Sequence, residues 1–240
     1  MAITCAVRSA LRDGRIDLVF QPVCDISTQD SCLYYECLAR FVSQGDEGLQ
    51  PDQFIPALER SGFIQSFDRY MVLRVVEMLQ TRPDITLGVN ISAASAEDDL
   101  FWDAVTATIS KRVGTADRLV IEVTETAPVD PVGIRILSKK LQRIGCRIAV
   151  DDFGVGYSRA TAMAIGRADI IKIDASILRE ARYGAKSRAK LGTLVEFAAR
   201  LGRCVVIEGV ESEEDIALVS SMRIKWAQGY HLGLPADCPP

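Results

Sequence analysis

Apolar residues recur along this chain in two periods that take turns. Short β-branched runs at 17–23, 33–40, 85–91, 118–124, 147–151, 169–173 and 204–207, with a last strand-like stretch through 227, predict strands. Between them the period lengthens. Phe67, Tyr70, Met71, Leu73, Val75, Val76 and Leu79 share one helical face over 67–80, as do Ile134, Leu137, Leu141 and Ile144 downstream of Pro131. Pro51-Asp-Gln-Phe54 opens a short helix, and Gly145 and Gly202 each stop a longer one. Further helices are expected near 96–110, 186–201 and 213–221, with a short one between 151 and 169. This alternation implies right-handed crossovers and a largely parallel sheet. Seven to eight strands favour a closed barrel over an open, doubly wound sheet. The first two runs, joined by the polar turn 27–30, read as a hairpin, a departure from regular (β/α)8 order.

Several predicted strands end on an acid. Arg147-Ile-Ala-Val-Asp151-Asp152-Phe-Gly154 delivers two adjacent carboxylates into a glycine-bearing loop, and Leu119-Val-Ile-Glu122, Ile170-Ile-Lys172-Ile-Asp174 and Val205-Val-Ile-Glu208 repeat the design. Buried strands have no reason to end on charge unless the ends converge. In a parallel barrel they do, on the face where active sites are built. Glu36, Asn90, Glu122, Asp151 and Asp152 each offer oxygen at or near a strand's downstream end. Mg²⁺ takes about six oxygens, some from water, so these groups suit two ions sharing a carboxylate. Lys172 lies in an otherwise apolar strand, where burial is costly without acidic partners. Among converging carboxylates it would orient an attacking water, and Glu208, just before Gly209, is the candidate general base.

Composition narrows the classes. Of 240 residues, 28 are basic and 32 acidic, giving net −4, which argues against wrapping a nucleic acid polymer. An anionic substrate would need bound cations or a few local Arg or Lys groups. Seven cysteines without a C-x-x-C pair read as reduced thiols of a cytoplasmic protein. No apolar run reaches the roughly 20 residues of a membrane span, and the first 14 residues do not read as a signal peptide. His231 is the sole histidine, which excludes a His-rich zinc site and argues against a Ser-His-Asp triad. No linker or low-complexity tract divides the chain, so 1–240 is expected to be a single domain.

From Phe20-Gln21-Pro22 to Pro235 the chain resembles the EAL-domain family of cyclic di-GMP phosphodiesterases. Glu36-Cys37-Leu38-Ala39-Arg40 carries the signature tripeptide, with Cys37 in place of its alanine. Asn90-Ile-Ser92 resembles N-x-S, Glu122-Val-Thr-Glu125 resembles E-x-T-E, and Asp151-Asp-Phe-Gly-Val-Gly-Tyr-Ser158 resembles D-D-F-G-T-G-Y-S. Lys172-Ile-Asp174, Glu208-Gly-Val-Glu211 and Gln228-Gly-Tyr230 with Pro235 complete an ordered set.

The resemblance implies a modified TIM-type (β/α)8 barrel with one antiparallel strand. It implies hydrolysis of cyclic di-GMP to linear pGpG with two Mg²⁺ or Mn²⁺ ions. Glu36, Asn90, Glu122, Asp151 and Asp152 become metal ligands, Lys172 the residue that positions water and Glu208 the base. Gln228 supports the metal–water cluster and Glu211 lies near the substrate. Gln21, Leu38 and Arg40 match nucleotide contacts, and Glu125 matches the tether of the loop after the double aspartate. A homodimer is implied as well, and fused or separate sensory domains are compatible with a chain cut from a longer signalling protein.

Val155 and Ser158-Arg159-Ala160 depart from the family's loop, which puts turnover rate and regulation in question more than metal binding. The competing reading is a catalytically weak or inactive cyclic di-GMP receptor that relays the signal to a protein partner. The intact catalytic positions favour the enzyme. Asp-Phe-Gly also occurs in kinases, but no Gly-rich loop or H-R-D accompanies it here. A metal-free scaffold would leave these carboxylates repelling one another.

Overall fold

The computed structural model describes residues 2–28, 31–41, 49–124 and 130–239. Part of the expected 27–30 turn and Glu125 fall outside them. Along the chain run α1 (Ala2–Arg12), β1 (Ile16–Asp25), β2 (Cys32–Phe41), α2 (Pro51–Arg60), α3 (Ile64–Thr81), β3 (Leu87–Ser92), α4 (Ala93–Ala96) and α5 (Asp99–Ser110). Then follow β4 (Leu119–Thr124), α6 (Pro131–Ile144), β5 (Arg147–Phe153), α7 (Ser158–Ile165), β6 (Ala168–Ile173), α8 (Ala175–Ala181), α9 (Ala185–Leu201), β7 (Gly202–Ile207), α10 (Glu213–Ser221) and β8 (Trp226–Ala227).

The eight strands close into a barrel in sequence order. β1 runs antiparallel to both neighbours, pairing Phe20 with Cys37 on β2 and Cys24 with Ala227 on β8. The other pairs are parallel. This is the expected barrel with one reversed strand, and the hairpin that the first two runs predicted creates the reversal.

Local chemistry sets the helix ends. Pro131 begins α6 after Asp130, whose carboxylate accepts from the N–H groups of Val132 and Gly133. Gly145 closes it in the left-handed conformation at φ 91°. The helix expected over 96–110 is α5, starting at Asp99, because Glu97 closes the short α4 before it and the Asp98 side chain begins α5 by accepting from Phe101 N–H. Two helices carried no sequence assignment. α1 was legible, since Ile3, Val7, Ala10 and Leu11 recur at helical spacing, and Val7 and Ala10 are fully buried. α8 is short and starts on Asp174, which accepts from Ser176 N–H.

The helices bury their apolar faces against the outer wall of the barrel in one continuous core that includes Leu58, Leu79, Val105, Leu141 and Leu191. Among the described residues no helix is long and apolar enough to cross a membrane, and all seven cysteines are unpaired thiols.

Asp68 ties α3 to the start of α4. Its buried carboxylate accepts from Ser92 N–H (2.8 Å) and Ser95 Oγ (2.7 Å), and burial raises its pKa to about 6. The folded state therefore holds this proton more tightly than the unfolded chain. The resulting stabilisation is complete below the ordinary aspartate range and is lost as pH rises through about 6. Asp68→Asn does not titrate. Chemical denaturation across pH 5 to 7 is expected to show the wild type losing about 1.4 kcal/mol of stability relative to this variant, the part of the linkage that lies above pH 5. A difference independent of pH would contradict the buried, proton-holding carboxyl.

Candidate active site and metal centre

Barrel register brings distant side chains to one level. Asn90 lies opposite Glu122, and Glu122 opposite Ala149, two residues before Asp151. Ala149 pairs with Ile170, two before Lys172, and Lys172 pairs with Val206, two before Glu208. Steps of two keep each of these residues on the inner face while the strands tilt around the axis. Asp151 and Asp152 are adjacent, so a regular strand would point them to opposite faces. A register irregularity between Val150 and Phe153, with Asp152 left-handed at φ 50°, cancels that alternation. Asp151, Asp152 and Glu208 thereby bring carboxylate oxygens within 4.8 Å of one another, and Glu36, Glu122 and Asp151 form a second such set.

Lys172 is fully buried among these acids. Its Nζ lies 3.0 Å from Glu36 Oε2, 2.8 Å from Glu122 Oε2, 3.1 Å from Asp151 Oδ1 and 2.8 Å from Glu208 Oε1. Asn90 Nδ2 donates to Glu36 Oε1 (2.6 Å), and Gln228 Nε2 donates to Glu36 Oε2 (2.7 Å) and to Gln21 Oε1 (3.3 Å). Tyr34 Oη donates to Glu122 Oε2 at 3.1 Å.

Burial would lower the Lys172 pKa, but the four surrounding carboxylates outweigh it and hold the ammonium well above its usual range. Burial pushes Glu122 up to about 8 and Glu208 well above the carboxylate range. Asp152 rises to about 7, first from burial and then from Asp151 beside it. Glu36 alone moves down, because Lys172 and the Gln228 and Asn90 amides outweigh its burial.

Among the described residues, four buried polar atoms lack a hydrogen-bond partner: Asn90 Oδ1, Glu122 Oε1, Asp151 Oδ1 and Gln228 Oε1. Of these, Asp151 Oδ1 keeps only its ion pair to Lys172. All four are oxygens at one site. Orphaned buried oxygens are costly unless a cation or water completes them.

The remaining sequence candidates divide. Gln21 is buried and also donates to Gly233 O at 3.2 Å. Leu38 lines a cleft of about 320 Å³ with Gln21, Glu36, Glu208, Glu211 and Gln228. It also lines a neighbouring, mostly apolar cleft of about 350 Å³ beside Phe54, Ile55 and Asp152. Glu211 is exposed on the first cleft's wall. Arg40 donates to Ala39 O (2.9 Å). Glu125 lies outside the described residues. Cys37 is buried and its thiol is pushed well up, first by burial, a poor setting for redox reactivity.

Sequence reasoning missed three supporting residues. Tyr34 had a signal, a polar aromatic two positions before Glu36 and so on the same strand face. Arg182 and buried Asp215 had none, being far apart in sequence. Arg182 Nη2 donates to Asp215 Oδ2 (2.7 Å) and Glu211 Oε2 (3.0 Å), and Asp215 accepts from Glu211 N–H (2.9 Å), so the pair holds the loop after Glu208.

A barrel with one reversed strand and a lysine enclosed by carboxylates at the strand C-termini thus defines the class of site. The chain belongs to the EAL domain family, which matches residues 4–235. It is 30% identical to cyclic di-GMP phosphodiesterase PdeF of Escherichia coli, over 98% of this chain and 32% of that protein. With cyclic di-GMP phosphodiesterase NbdA of Pseudomonas aeruginosa it shares 27% identity, over 95% of this chain and 30% of the relative. The chain therefore spans about a third of these relatives. The solved EAL domain protein of Listeria monocytogenes has the same fold, with TM-score 0.84, 21% identity and coverage of 98% and 94% of the two chains. A structure described as the PaMucR phosphodiesterase in complex with c-di-GMP superposes with TM-score 0.86 at 24% identity, covering 98% of each chain.

Removing the Lys172 ammonium should expose the imbalance of charge among the acids around it. In chelator-treated buffer at pH 8, Lys172→Met is expected to lose about 3–5 kcal/mol of stability, the usual cost of breaking a buried ion pair. Without the ammonium the carboxyl pKa values rise further, so the folded state takes up protons and the deficit should shrink toward pH 5. Denaturation at both pH values checks this, and an equal loss at each would contradict it.

Proposed function

We propose that this chain hydrolyses one phosphodiester bond of cyclic di-GMP to linear pGpG, using two Mg²⁺ or Mn²⁺ ions. One observation carries the reading. Four carboxylates converge on one buried lysine, a fifth, Asp152, sits beside two of them, and oxygens of Asn90, Glu122 and Asp151 there lack hydrogen-bond partners. The residues fit hard divalent cations, because the donors are all oxygen and in excess of the available positive charge. Glu36, Asn90, Glu122 and Asp151 would hold one ion and Asp151 with Asp152 the other, Asp151 being common to both acidic sets. Bound there, the ions would neutralise phosphate oxygens and lower the pKa of water at the site. The names of the relatives support cyclic di-GMP as the substrate.

The side chains of the protein perform the remaining work. Lys172, whose three N–H groups are shared among four acids, donates to the attacking water in place of one of them and orients it. Glu208, with a pKa raised by burial, takes the proton as the water oxygen bonds to phosphorus. The P–O3′ bond breaks, the departing oxygen takes a proton from solvent, and the linear product keeps a 5′-phosphate. One water is consumed. Gln228, in the cleft wall, holds Glu36 in place. Gln21, Leu38 and Glu211 contact the nucleotide, and Arg40 offers charge-assisted bonds to a phosphate oxygen. Glu125 would tether the loop after Asp152.

In this reading residues 1–240 are one phosphodiesterase domain of a cytoplasmic signalling protein that works as a homodimer. Sensory or regulatory domains, fused or separate, are compatible with this reading.

Purified protein incubated with cyclic di-GMP and Mg²⁺ or Mn²⁺ is expected to yield pGpG, and EDTA to stop it. Glu208→Gln should lower kcat roughly 10²–10⁴-fold while its Kd for cyclic di-GMP stays near wild type. Chromatographic product analysis with calorimetric binding checks both. Tight binding by the wild type without product would make the domain a receptor instead.

A further inference from the structure

Beneath the acidic rim lies an inner layer built from the residues two positions away on each strand. Val23, Tyr34, Val120, Ala149, Ile170 and Val206 form it. They point into the barrel below Gln21, Glu36, Glu122, Asp151, Lys172 and Glu208, because side chains two apart share a face. The layer is apolar except for one atom among these six residues, the hydroxyl of Tyr34. Tyr34 is 1% exposed and donates to Glu122 Oε2 at 3.1 Å. That same oxygen receives the Lys172 ammonium at 2.8 Å. Both donors therefore sit on Oε2, while Oε1 is buried with no partner.

Gly88 makes this arrangement fit. A Cβ at position 88 would lie 2.5 Å from Tyr34 Cε2 and 2.1 Å from Glu122 Oε1. The glycine serves here for space alone: its missing side chain leaves room for the tyrosine ring and the carboxylate together.

We propose that Tyr34 is a positioning residue for Glu122. Its hydroxyl pins Oε2, so that Oε1 is the oxygen presented to a divalent cation, and Gly88 is the vacancy that seats the pair. The proposal rests on the metal-dependent reading above. A ligand oxygen aimed in advance loses less freedom when a cation binds, and supporting hydrogen bonds to metal ligands affect affinity about 10–100-fold. Tyr34 lies below the rim and outside the cleft's lining, so it acts through Glu122 and not on the nucleotide.

The test is Tyr34→Phe in the full chain, which removes one oxygen and keeps the ring. Mn²⁺ titrated without nucleotide, with free ion followed by electron paramagnetic resonance, is expected to show Kd raised about tenfold. At limiting Mn²⁺, kcat should fall in step and recover with excess ion, while KM for cyclic di-GMP is unchanged. Gly88→Ala, which displaces both partners, should weaken Mn²⁺ at least as much. A Tyr34→Phe Kd within twofold of wild type overturns the proposal, and so does loss of the fold, since the hydroxyl would then serve stability. A wild type that binds Mn²⁺ but releases no pGpG overturns only the hydrolase reading, and the Kd comparison still judges Tyr34. A wild type that binds no Mn²⁺ overturns both.

Discussion

An excess of buried negative charge around one ammonium governs this protein. Glu36, Glu122, Asp151 and Glu208 pair with Lys172, and Asp152 crowds Asp151 and Glu208. One lysine cannot balance five ionised carboxylates in a setting where desolvation makes each costly. The raised pKa values of Glu122, Asp152 and Glu208 express that imbalance as protons held, and a divalent cation would express it as metal bound. Either way, the site is built to gather positive charge, which an acidic protein needs if it is to hold a phosphodiester.

Such a cluster survives only on a stiff frame. The closed barrel supplies one, because every strand is paired on both sides and the inner layer beneath the acids is packed with apolar side chains. Smaller contacts fix the rim. Arg182 and Asp215 brace the backbone after Glu208, and a Cβ at Gly229 would fall 2.1 Å from Val210 O. That approach lets the segment bearing Gln228 lie against the loop bearing Glu208. The reversed β1 contributes Gln21 to the same network through Gln228. Fold irregularity and site chemistry are thus linked: the reversed strand closes the barrel and also carries a polar group to its mouth.

Much of the fold was legible in the sequence because its signals are local. β-branched runs, helical spacing, Pro131 and Gly145 mark elements whose ends physical chemistry fixes within a few residues. The break between α4 and α5 was less legible, since it depends on which of several acids caps which turn. α1 has a local signal as well, the helical spacing of Ile3, Val7, Ala10 and Leu11.

By itself the sequence determined the alternating elements, the hairpin at the start and the set of oxygen-bearing residues at strand ends. Only the tertiary structure decided how those residues meet. Steps of two in strand register, the left-handed turn at Asp152 and the seat that Gly88 makes for Tyr34 are relations between segments far apart in the chain. They have no local signature, because each depends on which strand lies beside which. The ranking of acids along the pKa scale has the same origin, for it follows from burial and distance to Lys172, quantities that exist only once the barrel has closed.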